Sequence, residues 1–508
     1  MSGPRLLVTG ASGFIGRHLL DALKEEHRIF ALARRSQALS RAPVHPGISW
    51  HQADIGDRTA LEAVFRTIGE AGGADVLVHL AAHYDFTGNE YVEYWRTNVH
   101  GMRNVLELAP GVGVRRVIFP SSLAACRFPP SGEVLTEASP PDGDHIYART
   151  KREGEAMLRE FADRLPGVVV RYAAMFSDWC EYAPLFVFLR TWLSPAWNRR
   201  ILGGKGLFAM PYLHVRDGVS LLLRVLERLP ELPPGTVLLG SPDGAVSHRE
   251  LFGMATMLYF GARQRPILLP RPLSTAGVWL RDVLGRALGV RPFERPWMTR
   301  HIDRQLSVDA SRTCARLGWS PRERLGVLRR MPYLIQNLKS DPVEWHRRNQ
   351  DALRKVRLRT NLVMHALLKK NARAIVERFT EAVLGSEGRH RFPGYQRAWL
   401  DEAPSDSHEL LVRHLMDAVR TGEKALLVSY CHDLGERWCA MGLDVAEICA
   451  ALEELNLICL RTLSREPEWK VLRDEVRDQV TMTLNWACDE VHEVYERQQA
   501  LAHETSVS

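Results

Sequence analysis

The sequence predicts an α/β domain with a doubly wound parallel sheet over residues 1–342, followed by an all-helical bundle over residues 343–508. Residues 4–170 alternate short apolar runs with longer helical patterns, which is typical of a parallel sheet covered by helices. Beyond residue 343 long helical patterns dominate and no convincing strand alternation follows. A chain of 508 residues also exceeds the size at which one hydrophobic core stops growing, so two domains are expected.

The first domain presents its predicted elements in a regular order. Strands are predicted at residues 5–9, 28–33, 48–52, 75–80, 116–120 and 168–171. Helical patterns fall at residues 13–24, 59–69, 91–108 and 145–165. From about 172 to 340 the pattern becomes irregular and rich in aromatic residues, proline and arginine, and we expect this segment to form a small substrate-binding part.

The boundary between the two domains is predicted at Asp341-Pro342, because the residue before a proline tends to leave helical geometry. About five or six helices are expected beyond it. One of them should begin at Asp444, which stands three residues before Glu447 as in a capping box, with Ile448 and Leu452 following at helical spacing.

The composition is that of a soluble globular protein, with 45% apolar and 25% charged residues. The net charge of +7 is too small and too dispersed to indicate a nucleic-acid partner. The eight cysteines form no CxxC pair, and the N-terminus leads directly into a predicted strand without room for a signal peptide. We therefore expect a cytoplasmic protein with reduced thiols, no membrane span and no metal site.

A glycine-rich turn follows the first strand and opens the first helix, in the sequence Thr9-Gly-Ala-Ser-Gly-Phe-Ile-Gly16. Gly10 permits a tight turn, Gly13 lets the backbone approach a pyrophosphate, and Gly16 lets the helix pack on the strand. The helix N-terminus offers unpaired N–H groups to phosphate oxygens. This pattern predicts a dinucleotide site.

Tyr147 and Lys151 stand four residues apart and therefore on one face of a predicted helix. A tyrosine with a pKa near 10 is a poor acid or base at neutral pH. A nearby ammonium group favours the tyrosinate and lowers that pKa toward the working range. Ser122, at the end of the fifth predicted strand, can hydrogen-bond a reacting oxygen.

Together these motifs resemble the extended short-chain dehydrogenase/reductase family, also called the NAD-dependent epimerase/dehydratase family, over residues 4–335. Further matching elements are Phe14-Ile15, Asp54-Ile55, Leu80-Ala81-Ala82, Asn98, Tyr212-Leu-His-Val-Arg-Asp217 and Val308-Asp-Ala-Ser-Arg with Leu317-Gly-Trp-Ser-Pro321. The resemblance implies a Rossmann fold, a nicotinamide cofactor and Ser122, Tyr147 and Lys151 as the catalytic residues. It also implies that the glycine turn, Phe14, Ile15, Asp54, Ile55, residues 80–82, Asn98, Tyr147 and Lys151 contact the cofactor.

The second predicted strand ends in Ala33-Arg34-Arg35, where NAD-preferring members of the family usually carry an acidic residue. An arginine at this place can pair with the 2′-phosphate of NADP. NADP(H) is therefore favoured as the cofactor and NAD(H) is the alternative, with Arg34 as a solvated loop residue in the second case.

The substrate is predicted less sharply than the cofactor. The Val-Tyr-Gly sequence usual in sugar-nucleotide epimerases is replaced by Ala125-Cys126-Arg127, which favours a reductase or dehydrogenase acting on an apolar molecule. Phe176 and Trp179 belong to an aromatic-rich run that forms either a substrate wall or ordinary core. His83 follows the cofactor-lining turn and either contacts substrate or is an ordinary loop residue.

The C-terminal part weakly resembles the helical N-terminal domains of RsbR-type sensor proteins. A regulatory or dimerising role, with a homodimer or a regulatory protein as partner, is the expectation that follows. Cys449 and Cys459 fall at helical spacing and are better explained as small core residues than as metal ligands. Two alternatives stay open for the whole chain: a sugar-nucleotide epimerase or dehydratase, and a non-catalytic sensor of dinucleotide occupancy.

Overall fold

The computed structural model of the protein describes residues 3–287, 292–354, 360–386, 388–396, 407–467 and 469–507. The chain divides into two compact units, Met1–Leu358 and Arg359–Ser508. The first contains the sheet and the second is helical, as the sequence predicts.

A seven-stranded parallel sheet forms the centre of the first unit, with the strand order β11-β6-β5-β4-β1-β2-β3. Its strands are β1 (Leu6–Thr9), β2 (Ile29–Ala33), β3 (Ile48–Gln52), β4 (Val76–His79), β5 (Arg116–Ser122), β6 (Gly167–Tyr172) and β11 (Val237–Gly240). The apolar runs of β1, β2, β4 and β6 are buried along their whole length, because helices cover both faces of the sheet. The doubly wound fold is confirmed, and all six predicted strands are present.

The helices that cover this sheet lie in the connections between its strands. They are α1 (Phe14–Leu23), α2 (Gln37–Ser40), α3 (Arg58–Glu70), α4 (Val92–Trp95), α5 (Met102–Leu108), α6 (Ile146–Glu160) and α8 (Val215–Arg228). A π-helical turn at Arg96–Gly101 joins α4 to α5 within the single helix that the sequence predicts. π-turns of this kind often occur at functional sites, and this one carries Asn98.

The irregular segment adds short elements on the side of the carboxyl ends of β5 and β6. Its strands are β7 (Ala174–Phe176), β8 (Ile201–Gly203), β9 (Ala209–Met210), β10 (Tyr212–His214), β12 (Val246–Ser247) and β13 (Ile267–Leu269). Its helices are α7 (Ala183–Trp192), α9 (His248–Phe260), α10 (Arg271–Ala287), α11 (Ser311–Leu317), α12 (Val327–Ser340) and α13 (Pro342–Arg354). The seventh sheet strand, β11, lies inside this segment and has no counterpart among the predicted strands.

The boundary between the units lies later than the sequence predicts. Helix α13 begins at the expected break, Pro342, but belongs to the first unit. Trp345 is buried against the ring of Phe186, and the Asn349 side chain hydrogen-bonds the backbone of Trp179 and Glu181. Proline starts a helix as readily as it ends one, so the break marks a helix start within the unit.

The second unit is built on one apolar core. Its helices are α14 (Thr360–Leu384), α15 (Gly388–Arg391), α16 (Ser407–Thr421), α17 (Ala425–Ala440), α18 (Val445–Leu463), α19 (Trp469–Val476) and α20 (Met482–Val507). The predicted capping box at the start of α18 is wrong: the Asp444 side chain accepts a hydrogen bond from Ala446, and Glu447 instead accepts from the backbone of Gly394 and Tyr395. Cys459 is fully buried in this core, and Cys449 is partly exposed.

In the parts of the chain that the structure describes, no helix is long and apolar enough to cross a membrane.

Candidate active site

The glycine turn at the end of β1 is shaped for close backbone approach. Gly10 has a φ of +69°, and a Cβ at this position would lie 2.5 Å from the Ala81 backbone nitrogen. A Cβ at Gly16 would lie 2.6 Å from the Gly10 carbonyl oxygen, so helix α1 packs directly on the turn. Gly13 is the N-cap of α1 and supplies no side-chain cap, which leaves the first helical N–H groups for a ligand.

A cavity of about 1030 Å³ connects this turn with the predicted catalytic residues. The predicted residues that line it are Gly10, Gly13, Phe14, Ile15, Gly16, Leu80, Ala82, Ser122, Tyr147 and Lys151. In the described structure Arg34, Asp54, Ile55, Ala81 and Asn98 lie outside this lining. The glycine cradle and uncapped helix fit the pyrophosphate of a dinucleotide, and the volume suits a cofactor together with a small molecule.

Ser122 and Tyr147 meet within the cavity. Ser122 ends β5 and caps the short turn Leu123–Ala125, where its Oγ accepts a hydrogen bond from the Ala124 nitrogen at 3.1 Å. Tyr147 lies in the first turn of α6 and is half-buried. Burial raises the pKa of the Tyr147 phenol above its ordinary value, and a side-chain hydrogen bond with Ser122 acts in the opposite direction. The phenol is therefore held protonated, against the lowering expected from the sequence.

Lys151 lies one turn further along α6 and is buried. Its Nζ donates a hydrogen bond to the Pro120 carbonyl at 2.9 Å and lies 5.8 Å from the centre of the Tyr147 ring. Burial lowers the pKa of the Lys151 ammonium to about 8, while the Glu155 carboxylate raises it. The ammonium is thus fixed beside Tyr147 and loses its proton more readily than an exposed lysine.

A buried ion pair beneath the site was not predicted from the sequence. Glu155, one turn after Lys151, accepts hydrogen bonds from Arg171 on β6 at 2.8 and 3.0 Å and from the Ser121 hydroxyl at 2.7 Å. Both charged side chains are almost fully buried. The pair fastens helix α6 to strands β5 and β6, so it positions Ser122 and Lys151 without touching the cavity. In the sequence, Glu155 continues the four-residue spacing of Tyr147 and Lys151, and this spacing is the signal that could have placed it on the same face of the helix.

The Asn98 side chain makes its hydrogen bonds to other groups of the protein. Its Oδ1 accepts a hydrogen bond from the His83 nitrogen at 2.6 Å, and its Nδ2 donates to the His83 carbonyl and the Thr150 hydroxyl, each at 2.9 Å. Thr150 in turn donates to the Tyr147 carbonyl. Asn98 therefore ties the turn after β4 to helix α6.

Two arginines follow β2 at the expected place. The Arg34 guanidinium lies 3.8 Å from Glu93, which also lies 3.9 Å from Arg96. Arg35 donates a hydrogen bond to the Ser12 carbonyl of the glycine turn at 3.0 Å. Asp54 accepts a hydrogen bond from Arg96 at 3.0 Å, and Ile55 is buried beside the π-turn. The end of β2 is thus cationic and adjacent to the turn that would hold the pyrophosphate.

Three residues predicted to touch substrate face elsewhere. The buried His83 ring pairs with Asp85 at 3.1 Å and stands edge-on to Tyr94. Phe176 is fully buried against His214, and Trp179 lies under the Arg348 guanidinium. In the described structure none of the three lines the cavity.

The cavity wall beyond the catalytic residues comes from segments far apart in sequence. Tyr84 packs on Tyr147 with ring centres 4.1 Å apart, and the His145 ring centre lies 6.2 Å from that of Tyr147. Burial, with the nearby Arg300 charge, lowers the pKa of His145 to about 4, so its ring is neutral. Further aromatic residues of the wall are Phe128, Tyr182, Phe188, Trp192, Trp197, Phe208, Phe293 and Trp297.

Charged side chains also reach this wall. Arg127, Arg295, Arg300 and Arg304 line the cavity. Arg300 is engaged with Asp144 at 2.9 Å, and Arg295 lies 3.5 Å from Asp282. The far part of the cavity is therefore aromatic with a cationic component.

Comparison with known proteins agrees with this geometry. The model of the NAD dependent epimerase/dehydratase family matches residues 6–240. A UDP-glucose 4-epimerase of Streptococcus mutans is 30% identical over 167 residues, which are 32% of this chain and 48% of that protein. A 3beta-hydroxysteroid-dehydrogenase/decarboxylase of Arabidopsis thaliana is 30% identical over 30% of this chain and 36% of that protein. The chain thus spans about half or less of the length of these curated relatives.

A solved structure shares the fold. A dTDP-glucose 4,6-dehydratase of Bacillus anthracis, determined in complex with NAD, has a TM-score of 0.52 and 18% identity, covering 68% of this chain and 100% of that one. At this identity the likeness shows the fold alone. Residues 6–240 of this chain are thus similar to the NAD-dependent epimerase/dehydratase family, in agreement with the ordered motifs and the parallel sheet.

Proposed function

We propose that the first unit is an NAD(P)-dependent oxidoreductase that acts on a carbonyl or alcohol group of a small, largely apolar molecule. One observation carries the proposal: Ser122, Tyr147 and Lys151 line the same cavity as the glycine turn of β1. A bound nicotinamide would supply or accept the hydride. The glycine turn and the N-terminus of α1 would hold the pyrophosphate of that cofactor.

Three protein residues would each have a separate role in the proposed reaction. Ser122 Oγ orients the reacting oxygen and stabilises charge that develops on it. The Tyr147 hydroxyl passes its proton to that oxygen when a carbonyl is reduced, and receives a proton when an alcohol is oxidised. The Lys151 ammonium binds hydroxyl groups of the cofactor ribose and favours the tyrosinate once the proton has left. The raised pKa of Tyr147 keeps its phenol in the form that can donate a proton to a carbonyl oxygen.

The cavity wall supports an apolar substrate. Phe188, Trp192, Phe208 and Phe293 provide ring faces for a hydrophobic skeleton. The similarity to a hydroxysteroid dehydrogenase/decarboxylase points the same way.

The second candidate is a sugar-nucleotide epimerase. The cationic residues Arg127, Arg300 and Arg304 at the cavity favour a phosphorylated substrate, and a UDP-glucose 4-epimerase is among the relatives. An epimerase removes and returns hydride at one carbon, so it converts substrate with no net change in the cofactor.

Two measurements separate these candidates. NADPH and NADH are titrated by fluorescence, and ketones, steroids and UDP-sugars are then screened for change in nicotinamide absorbance and, by chromatography, for epimerised product. Net NADPH oxidation with an apolar ketone supports the oxidoreductase. Epimerised UDP-sugar without net absorbance change supports the second candidate. Tight cofactor binding with no turnover of either class would contradict both and favour a sensor of dinucleotide occupancy.

A further inference from the structure

Helix α10 exposes its apolar side chains and buries small or charged ones. The residues that it buries are Ser274, Asp282 and Gly285, which are small or charged. Leu273, Trp279 and Leu280 are 58%, 60% and 54% exposed, and Val283 and Leu284 are also exposed. A surface helix normally turns its apolar face to the core and its charged face to water.

Polar bonds hold this helix in place. The Ser274 hydroxyl donates to the Leu269 carbonyl at 2.7 Å. Asp282, which is buried, pairs with Arg286 at 2.7 Å and with Arg295 at 3.5 Å. Because small and polar residues attach α10 to the first unit, the outward apolar side chains are not needed for that attachment.

More exposed apolar side chains lie in the neighbouring elements. Ile267 and Leu268 of β13 directly precede α10, and β13 pairs with β8 in the register Ile267–Ile201. Trp197, just before β8, is 82% exposed. We call α10 with residues 197 and 267–268 the apolar face. Exposed apolar surface of this extent on a soluble protein usually marks an interaction site.

The rim of the apolar face is strongly basic. Residues 195–205 and 261–287 contain eight arginines and lysines and one acidic residue, Asp282. Arg199 lies 5.2 Å from the Phe260 ring, and Arg200 hydrogen-bonds the Arg265 carbonyl, so these cations stand next to β13. The eight basic residues of the two segments are Arg199, Arg200, Lys205, Arg263, Arg265, Arg271, Arg281 and Arg286. Arg281 lies 3.6 Å from Glu294, and Arg286 lies 2.7 Å from Asp282.

We propose that the apolar face docks on the surface of a bilayer that contains anionic phospholipid. Leucines would enter the boundary between headgroups and acyl chains, and the exposed tryptophans would lie at headgroup level. The arginines would meet the negative lipid charge. A second copy of this chain fits the face less well, because a symmetric contact would bring the two cationic rims together.

The docking would also place the cavity at the lipid surface. Ser274, Gly277, Val278 and Arg281 of α10 line the cavity, as does Trp197 of the apolar face. An apolar substrate dissolved in the bilayer would thus enter beside α10. This access route rests on the proposed function, whereas the docking itself does not.

Vesicle co-sedimentation of the full-length protein tests the docking without any turnover. Vesicles of phosphatidylcholine alone are compared with vesicles that also contain phosphatidylglycerol. We expect binding to the anionic vesicles that weakens as salt rises. Leu280→Glu should lower the partition coefficient at least about tenfold, since one leucine would leave the apolar phase. Arg271→Gln should lower it about fivefold at low salt.

Val343→Glu is the matched control, because Val343 is an exposed residue of α13 that does not belong to the apolar face, and it should bind as the wild type does. Circular dichroism and NADPH affinity report whether each variant is folded, and Leu273→Gln replaces Leu280→Glu if the latter is not. Absence of binding to anionic vesicles would overturn the proposal. Unchanged vesicle binding by the folded leucine variant would also overturn it. The same holds if the wild type is a dimer that the leucine variant dissociates, and neither protein binds vesicles. A missing oxidoreductase activity would leave the vesicle result unaffected.

Discussion

Lys151 is the residue whose ionisation should govern how activity depends on pH. Because burial lowers its pKa to about 8, the ammonium is present below that pH and is lost as the pH rises above it. We therefore expect kcat/KM for carbonyl reduction to fall as the pH increases through about 8, measured at saturating cofactor. Lys151→Arg keeps the charge over this range and should move the fall to higher pH. A wild-type profile that stays flat from about pH 7 to about pH 10 would contradict this role.

Arg34 should decide which cofactor binds. If its guanidinium pairs with the 2′-phosphate, Arg34→Ala lowers NADPH affinity by roughly 10- to 100-fold and leaves NADH affinity unchanged, since charge-assisted hydrogen bonds are the strong ones. Fluorescence titration with both cofactors measures this. Arg66→Ala, on the exposed side of α3, removes the same charge elsewhere and serves as the control. Equal affinities before and after Arg34→Ala would show that Arg34 sets no preference.

At the scale of the element, the glycine turn between β1 and α1 is the part most sensitive to a single methyl group. Gly10→Ala combines a positive φ with a Cβ only 2.5 Å from the Ala81 backbone, so the turn must shift. We expect NADPH affinity to fall at least about tenfold, because the pyrophosphate contacts depend on this backbone path. Gly132→Ala is the matched control: its φ is +89° and its Cβ would meet nothing within 4 Å. Equal NADPH affinities in the two variants would show that close approach at Gly10 is unimportant.

Most of the predicted strands are short apolar runs that are buried along their length, whereas β3, at the edge of the sheet, is only partly buried. β3 spans Ile48–Gln52 as predicted, and β5 extends two residues further to include Ser121 and Ser122. β11 escaped prediction because Val237–Gly240 is only four residues long in an irregular segment, and its pairing with β6 is non-local. Helix α13 was assigned to the wrong side of the boundary because the burial of Trp345 depends on tertiary packing.

At the scale of the whole molecule, the sequence predicts the part of the site that local motifs carry and little of the rest. The glycine turn, Ser122, Tyr147 and Lys151 stand beside regular elements and could be placed in advance. Tyr84 and Trp297 approach the catalytic helix from other segments, and no spacing rule brings them together. The outward direction of α10's apolar residues likewise depends on what the rest of the unit leaves uncovered.

The proposed reaction depends on the hydroxyl group of Tyr147. Tyr147→Phe removes one oxygen from the cavity, and the variant is compared with the wild type for NADPH affinity and for turnover of whichever carbonyl substrate the screen identifies. Tyr333→Phe, at an exposed position of α12, removes the same oxygen elsewhere. We predict that Tyr147→Phe retains NADPH affinity and loses about 10²- to 10⁴-fold in kcat, the usual contribution of a positioned acid or base. Full activity of Tyr147→Phe would contradict the account.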